Sequence, residues 1–247
     1  MIWEVFTHVI RGWEASGDTD TSFKAAVSDM LSKIDPGLHL GSWGQIQEWK
    51  IDMDVKNDTH RHLSNLYGFY PGFYISSVHG FNETVTNAVA TTLYSRGDGT
   101  VDQDTGWGKM WRGACWALLN NTDEAYNELT LMIHNNIAPN GFDMYDNSFL
   151  QIDANFGVTG NVMSMLIRDL DRASTDTRPQ AVLLGPAIPT AWGGGSVKNV
   201  RLRGGGSVSF GWDSQGTVTS CTLDKTGRAK DAPIQKFFVR NGSSIKC

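Results

Sequence analysis

Residues 106–141 read GWGKMWRGACWALLNNTDEAYNELTLMIHNNIAPNG, and this stretch decides the fold class. Trp107, Trp111, Ala114 and Leu118 recur at three- and four-residue steps, the spacing that gathers apolar side chains on one face of an α-helix. Thr122 then caps a second run, carrying Tyr126, Leu129, Ile133 and Ile137, before Pro139-Asn140-Gly141 stops it. Two helices joined by so short a turn pair antiparallel. The same period continues outward. Trp3, Phe6, Ile10 and Trp13 share a face, and Phe23, Val27, Met30, Leu31 and Ile34 share the next, with Asp20 or Thr21 as N-cap and Asp35-Pro36-Gly37 as the stop. A further helix from about 82 to 95 turns Val85, Val89 and Leu93 inward, and a last one carries Val158, Val162, Met165 and Leu166. The first run starts at residue 1 at full apolar amplitude and without a cap, which fits either a helix with a frayed start or a chain that begins inside a larger fold.

Beyond residue 180 the texture changes to period-2 alternation with many glycines. Val208, Phe210 and Trp212 alternate with Ser207, Ser209 and Gly211, and further strands are expected over 182–184, 197–202, 218–223 and 236–239. Charge divides at the same place: residues 1–180 carry 12 basic and 23 acidic side chains, residues 181–247 carry 9 and 3. The expected architecture is mainly α with a small all-β C-terminal domain, an antiparallel unit, with the boundary in the polar stretch near 176–180. Two long irregular stretches, 38–59 and 97–106, interrupt the helical part, and such connections inside a helical domain usually serve function.

The chain has 247 residues, 40% apolar and 19% charged, which is ample for a core and excludes a disordered tail. A net charge of −5 with no basic run argues against nucleic acid as a partner. No apolar stretch approaches the ~20 residues needed to span a bilayer, and the start lacks the basic and apolar regions of a signal peptide. Nine tryptophans on a weakly charged chain suit a neutral, stackable ligand such as a sugar, and suit a large core equally well. Cys115, Cys221 and Cys247 are odd in number and far apart, so neither a disulfide framework nor a zinc site is expected. Asn-x-Ser/Thr triplets at Asn57, Asn82, Asn120 and Asn241 fit a eukaryotic secretory history.

Chemistry is expected in the irregular segments. Glu48 lies beside Trp49, and His60-Arg61-His62 follows eleven residues later. His60 and His62 are two apart, unlike the i, i+4 pair of a helical zinc site, so no metal is expected; either ring could bond backbone carbonyls or touch a substrate. Asp52-Met53-Asp54 fails as a calcium loop, because position six is Asn57 and position twelve is Leu63. The triple glycines at 193–195 and 204–206 lie among strands and open no helix, so they serve turns rather than phosphate. Asp153 stands among Phe149, Leu150, Ile152 and Phe156, where a carboxylate is expected to lose solvation, just before the helix of 158–166. On the residues alone, an N-cap or a buried structural Asp is preferred to a catalytic one, and Asn155 shares that structural reading.

The stretch from His60 to Gly72 resembles the HRHxSHLYxxYPG signature of glycoside hydrolase family 95, the 1,2-α-L-fucosidases. Residues 149–157 resemble that family's FQIDGNFG motif, and 44–49 and 106–112 match in the expected order. Residues 183–192 resemble the LLPALPxxW opening of the family's C-terminal β domain, and Arg201-Leu202-Arg203 its R-A-R-G-G. Three departures stand out: Asn65 in place of a third His, Ala154 in place of Gly, and Gly185 inserted before Pro186.

The resemblance implies an (α/α)6 toroid preceded and followed by β domains. On it, residues 1–175 are the C-terminal portion of the catalytic barrel and 181–247 the C-terminal β domain. It implies inverting hydrolysis of terminal α-1,2-linked L-fucose from fucosylated oligosaccharides, with no cofactor. An Asp polarises an Asn that holds the attacking water, and a Glu protonates the leaving oxygen. Asp153 matches that Asp; His60 or His62 matches a histidine contact to the fucose; Glu48, Trp107 and Asn155 are the further candidates for substrate binding. The family's acid Glu and Asn pair lie upstream of the matched part, so the missing upstream portion of the fold is itself an expected partner. The full-length family member is expected to be extracellular or in the secretory pathway. Competing readings are a catalytically inactive remnant, a weak sugar-binding protein, and an enzyme for α-L-galactosides, whose sugar differs only by a hydroxyl on the fucose methyl.

Overall fold

Each apolar run of period 3.6 folds as a helix in the computed structural model, which describes residues 1–35, 37–75, 81–146, 148–170, 180–203, 205–225 and 235–247. Helix α1 (Ile2–Ser16) ends at Gly17, whose φ of +74° is the left-handed turn that glycine adopts without a Cβ penalty. Helix α2 (Thr21–Lys33) starts at Asp20, whose carboxylate accepts the Phe23 N–H at 3.0 Å. Helix α3 (Glu83–Arg96) is opened by Asn82 Oδ1 accepting from the Val85 N–H. Helices α4 (Gly106–Leu118) and α5 (Thr122–Asn135) pack together, as the short turn between them predicts. The cap of α5 is Asn121, which accepts the Glu124 N–H, and Thr122 is the first helical residue. Helix α6 (Asp153–Leu166) starts five residues earlier than its apolar spacing suggests and packs on α4.

Strands dominate after α6, as the alternation predicts. A small hairpin, β1 (Met144–Tyr145) and β2 (Phe149–Leu150), lies between α5 and α6. One sheet has the order β3-β4-β8-β9, from β3 (Ile167–Asp169), β4 (Gln180–Leu184), β8 (Gln235–Val239) and β9 (Ser244–Ile245). The other is the antiparallel meander β5 (Gly195–Arg201), β6 (Ser207–Trp212) and β7 (Val218–Asp224). The β unit is thus two sheets, and β4 and β8 run parallel within otherwise antiparallel pairings. A parallel pair needs a long crossover, and the meander supplies it. Val182, Leu184, Val200, Val208, Phe210 and Phe237 form the shared core, joined by Leu166 at the end of α6.

Cys221 on β7 and Cys247 form a disulfide, which corrects the expectation that the cysteines are unpaired. Their separation of 26 residues hid the pair, because β7 and the chain end belong to different sheets that meet only after folding. Cys115 is buried and free on α4. The expected domain boundary near 176–180 falls, but for Gln180 at the start of β4, outside the described residues, as do Pro36 of the α2 stop and Gly204.

By density of contact the described residues form two units, 1–55 with 64–91, and 56–63 with 92–170 and 180–247. In the first, Ile46, Leu66, Phe69 and Val89 are fully buried. Glu4 is its buried carboxylate, accepting the N–H groups of Phe73 and Tyr74 at 2.8 and 3.1 Å. Apolar surface of α1 and α2 is left uncovered: no residue of α2 is buried, Ile2, Val5, Phe23 and Met30 are exposed, and Trp3, Phe6, Ile10 and Trp13 of α1 are half-buried. In the second unit, Leu93, Met110, Ala114, Met132 and Met165 are buried.

Candidate active site

Within the second unit, the N-terminal ends of α4 and α6 lie against each other because Gly106 lacks a side chain. A Cβ there would stand 2.3 Å from Asp143 Oδ1 and 2.9 Å from Ala154 Cβ. Gly106 and Trp107 are the first two residues of α4, and Asp153 and Ala154 the first two of α6. The Trp107 indole packs on the His62 ring, with centroids 5.2 Å apart. His62 Nδ1 lies 2.7 Å from His60 Nε2, and His60 Nδ1 lies 3.1 Å from Asp102 Oδ2. The same Asp102 oxygen accepts the Arg61 N–H at 3.0 Å and Arg61 Nη1 at 2.9 Å. The Arg61 backbone bond is the first cause holding the Asp102 carboxyl below its ordinary range.

A buried cation fixes this segment from below. Arg112 on α4 is fully buried and donates to the carbonyls of Gly97 (2.9 Å), Gly108 (3.1 Å) and Arg61 (3.3 Å). Lys109, one turn earlier, is also fully buried; it pairs with Asp104 and donates to Asn136 Oδ1 at 2.9 Å. Burial pushes Lys109 down to about 8, with Glu128 pulling the other way. Glu128 on α5 is buried as well, and desolvation holds its carboxyl well above the ordinary value. Bare ions are costly inside a helix pair, and the two cations are compensated by Asp104 and Asn136 at Lys109 and by the loop carbonyls at Arg112.

Asp153 is exposed at the first position of α6, which corrects the expectation of a desolvated carboxylate. Its apolar neighbours Phe149, Leu150, Ile152 and Phe156 are themselves on the surface, so they withdraw no water from it. The desolvated carboxylate is Asp143, ten residues earlier. Neither of its oxygens completes a well-formed hydrogen bond within the described residues. Burial pushes its carboxyl up to about 6; the Ala154 N–H opposes the shift and the Asp153 charge adds to it. Asn155 is committed to the same loop, its Oδ1 accepting the Asp143 N–H at 2.8 Å and its Nδ2 donating to the Gly141 carbonyl at 2.9 Å.

Glu48 belongs to the first unit, where it lines a cavity of about 370 Å³ with Trp3, Gln47, Asn65, Tyr67 and Tyr74. Asn65 Nδ2 donates to the Ile46 carbonyl at 2.8 Å. Asp52 and Asp54 hold the irregular 42–54 loop by accepting from the Ser42 N–H, Gln45 Nε2 and the Glu48 N–H. Of the residues singled out from sequence, His62 thus touches both His60 and Trp107, and Asp153 and Asn155 stand on the helix turn that faces the start of α4. Sequence reasoning missed Asp102 and Asp143. Asp102 lies in the irregular 97–106 stretch already marked for function, whereas Asp143 follows a helix stop and carries no signal of its burial. Among the described residues no group of three His, Cys, Asp or Glu side chains is arranged to hold a metal ion. No described helix is long and apolar enough to cross a membrane.

The family model described as the glycosyl hydrolase family 95 catalytic domain matches residues 1–166, and the chain belongs to this family. Among its relatives, a probable alpha-fucosidase A of Aspergillus niger is 63% identical over all of this chain, and one of Aspergillus oryzae is 48% identical over 88% of it. Alpha-L-fucosidase 2 of Arabidopsis thaliana is 32% identical over 86% of the chain. The chain spans 32% of the length of each fungal relative and 25% of the plant one.

Proposed function

We propose that this chain is the C-terminal part of an inverting α-L-fucosidase that removes terminal α-1,2-linked L-fucose from oligosaccharides. In this reading residues 1–175 close the (α/α)6 barrel and residues 181–247 form the β domain behind it. The observation that supports it is that the start of α4 borders both of the family's motifs: the Trp107 indole packs on the His62 ring, and Gly106 lies against Ala154, which follows the exposed Asp153 at the start of α6. Asp153 polarises an Asn side chain that holds the attacking water, and a Glu across the bond protonates the leaving oxygen; acid and water-activating groups stand ~6.5–9.5 Å apart in such enzymes. Both of those partners belong to the part of the family's fold outside the matched segment. That part is also the occupant proposed for the uncovered faces of α1 and α2, since the relatives are about three times as long. Asn155 acts as the staple of the 141–143 loop, and Trp107 as a sugar platform. The Cys221–Cys247 bond supports an oxidising, secretory route for the protein.

The test is release of fucose from a 2′-fucosylated oligosaccharide. Residues 1–247 alone are expected to release none, because deleting members of a coupled catalytic set costs several powers of ten. A chimera completed with the upstream part of the A. niger relative is expected to turn over, and Asp153→Asn within it to abolish turnover. Hydrolysis by the isolated chain would overturn the division of roles, and release of L-galactose in preference to fucose would overturn the substrate.

A further inference from the structure

The starts of α4 and α6 lack caps of their own. Neither Thr105 nor Ile152, the residues that precede them, makes a side-chain hydrogen bond to the first turn. Unpaired N–H groups and the positive end of each helix therefore border the gap that Gly106 opens between them. The fully buried Asp143 carboxyl occupies this gap, with Oδ1 against the Gly106 side and the Ala154 N–H acting on it from α6. Its backbone is tied to the same turn of α6. The Asp143 N–H donates to Asn155 Oδ1 at 2.8 Å, and the Asp143 carbonyl accepts the Gln151 N–H at 3.1 Å. Residues 151, 154 and 155 are thus all engaged by one residue, and Asp153, which lies between them, is left exposed. A carboxylate suits the position because it offers two acceptor oxygens and no donor, whereas an amide offers one acceptor and one donor group.

We infer that Asp143 is a positioning residue, a cap shared by the starts of α4 and α6 that fixes the turn from which Asp153 is presented. The use of Asp153 toward a water-holding Asn rests on the function proposed above; the shared cap does not. Asp143 is fully buried, so it acts on the reaction only through Asp153.

The cap is read by amide ¹H–¹⁵N correlation spectroscopy of residues 1–247 between pH 4 and pH 8. Burial sets the Asp143 titration at about 6, and the charges that act on it are Asp153 from α6 and Lys109 from α4. The Ala154 amide is expected to follow that titration, because an N–H aimed at a carboxyl is polarised more strongly once the carboxyl ionises. In Asp143→Asn the transition is expected to vanish. In Asp153→Asn, which removes the like charge, its midpoint is expected to fall below about 6. An Ala154 amide with no such transition in the parent overturns the cap without recourse to any variant. In the completed chimera, Asp143→Ala is expected to lower kcat about tenfold or more per folded molecule, with KM for the fucosylated oligosaccharide nearly unchanged. Asp143→Asn, which keeps one acceptor oxygen, is expected to recover most of that loss; far-UV circular dichroism gives the folded fraction of each. A parent-like kcat in Asp143→Ala, or a loss that Asn does not recover, overturns the positioning role and leaves the proposed function standing. A parent chimera that releases no fucose removes that function, and the positioning role with it, while the spectra still decide the cap.

Discussion

Asp143 provides a quantitative test of how the site is held. It is fully buried between the first turns of α4 and α6, and its carboxyl titrates at about 6 in place of the ordinary 3.8. In that window the folded chain binds a proton that the unfolded chain has released, so this group's contribution to stability is complete below about pH 4 and is lost as pH rises through 6. At about 1.36 kcal/mol per pH unit the loss is roughly 3 kcal/mol. Asp143→Asn removes the charge while keeping the shape, although its NH2 must avoid the donors at the two helix starts. A net gain of about 1–2 kcal/mol above pH 7 is expected, or a rise of roughly 3–6 °C in Tm for a chain of this size. The assay is thermal unfolding of parent and variant from pH 4 to pH 8. Asp35, Asp52, Asp98 and Asp102 have lowered values and push stability the other way on acidification. Only the difference between the two proteins isolates Asp143: it should be small or negative near pH 4, grow through pH 6 and level off above. A difference that stays flat across this range would refute the burial argument. The retention of so costly a carboxylate beside Asp153 fits a site that trades stability for arrangement.

Glu4→Ala should cost about 2–4 kcal/mol, because it strands the buried N–H groups of Phe73 and Tyr74; Glu4→Gln should cost less. Amide hydrogen exchange confined to residues 73–75 reads the local effect. Reducing the Cys221–Cys247 bond, which closes a 26-residue separation, should lower stability by about 3 kcal/mol in denaturant titrations. Burial raises the Cys115 thiol far above its ordinary range, so a thiol reagent should find no reactive cysteine in the native chain, one after denaturation and three after denaturation with reduction.

The six helices and the run of strands were legible because each is written in a local period, 3.6 or 2, that neighbouring residues impose on one another. Asp20, one of the two N-caps expected for α2, shows the same locality, since a cap needs only the residues beside it. The His60–His62 motif and the Asp153 motif were legible as separate stretches on different elements. What only the tertiary structure decided is everything that depends on distance in space. Cys221 met Cys247 because two sheets share a core, and β4 ran parallel to β8 because a whole meander intervenes. Asp153, flanked by apolar residues in the chain, is exposed, while Asp143 is sealed in by two helix starts that are remote in sequence. Solvation depends on the atoms that surround a carboxylate from every direction, and the chain specifies only the two directions along itself.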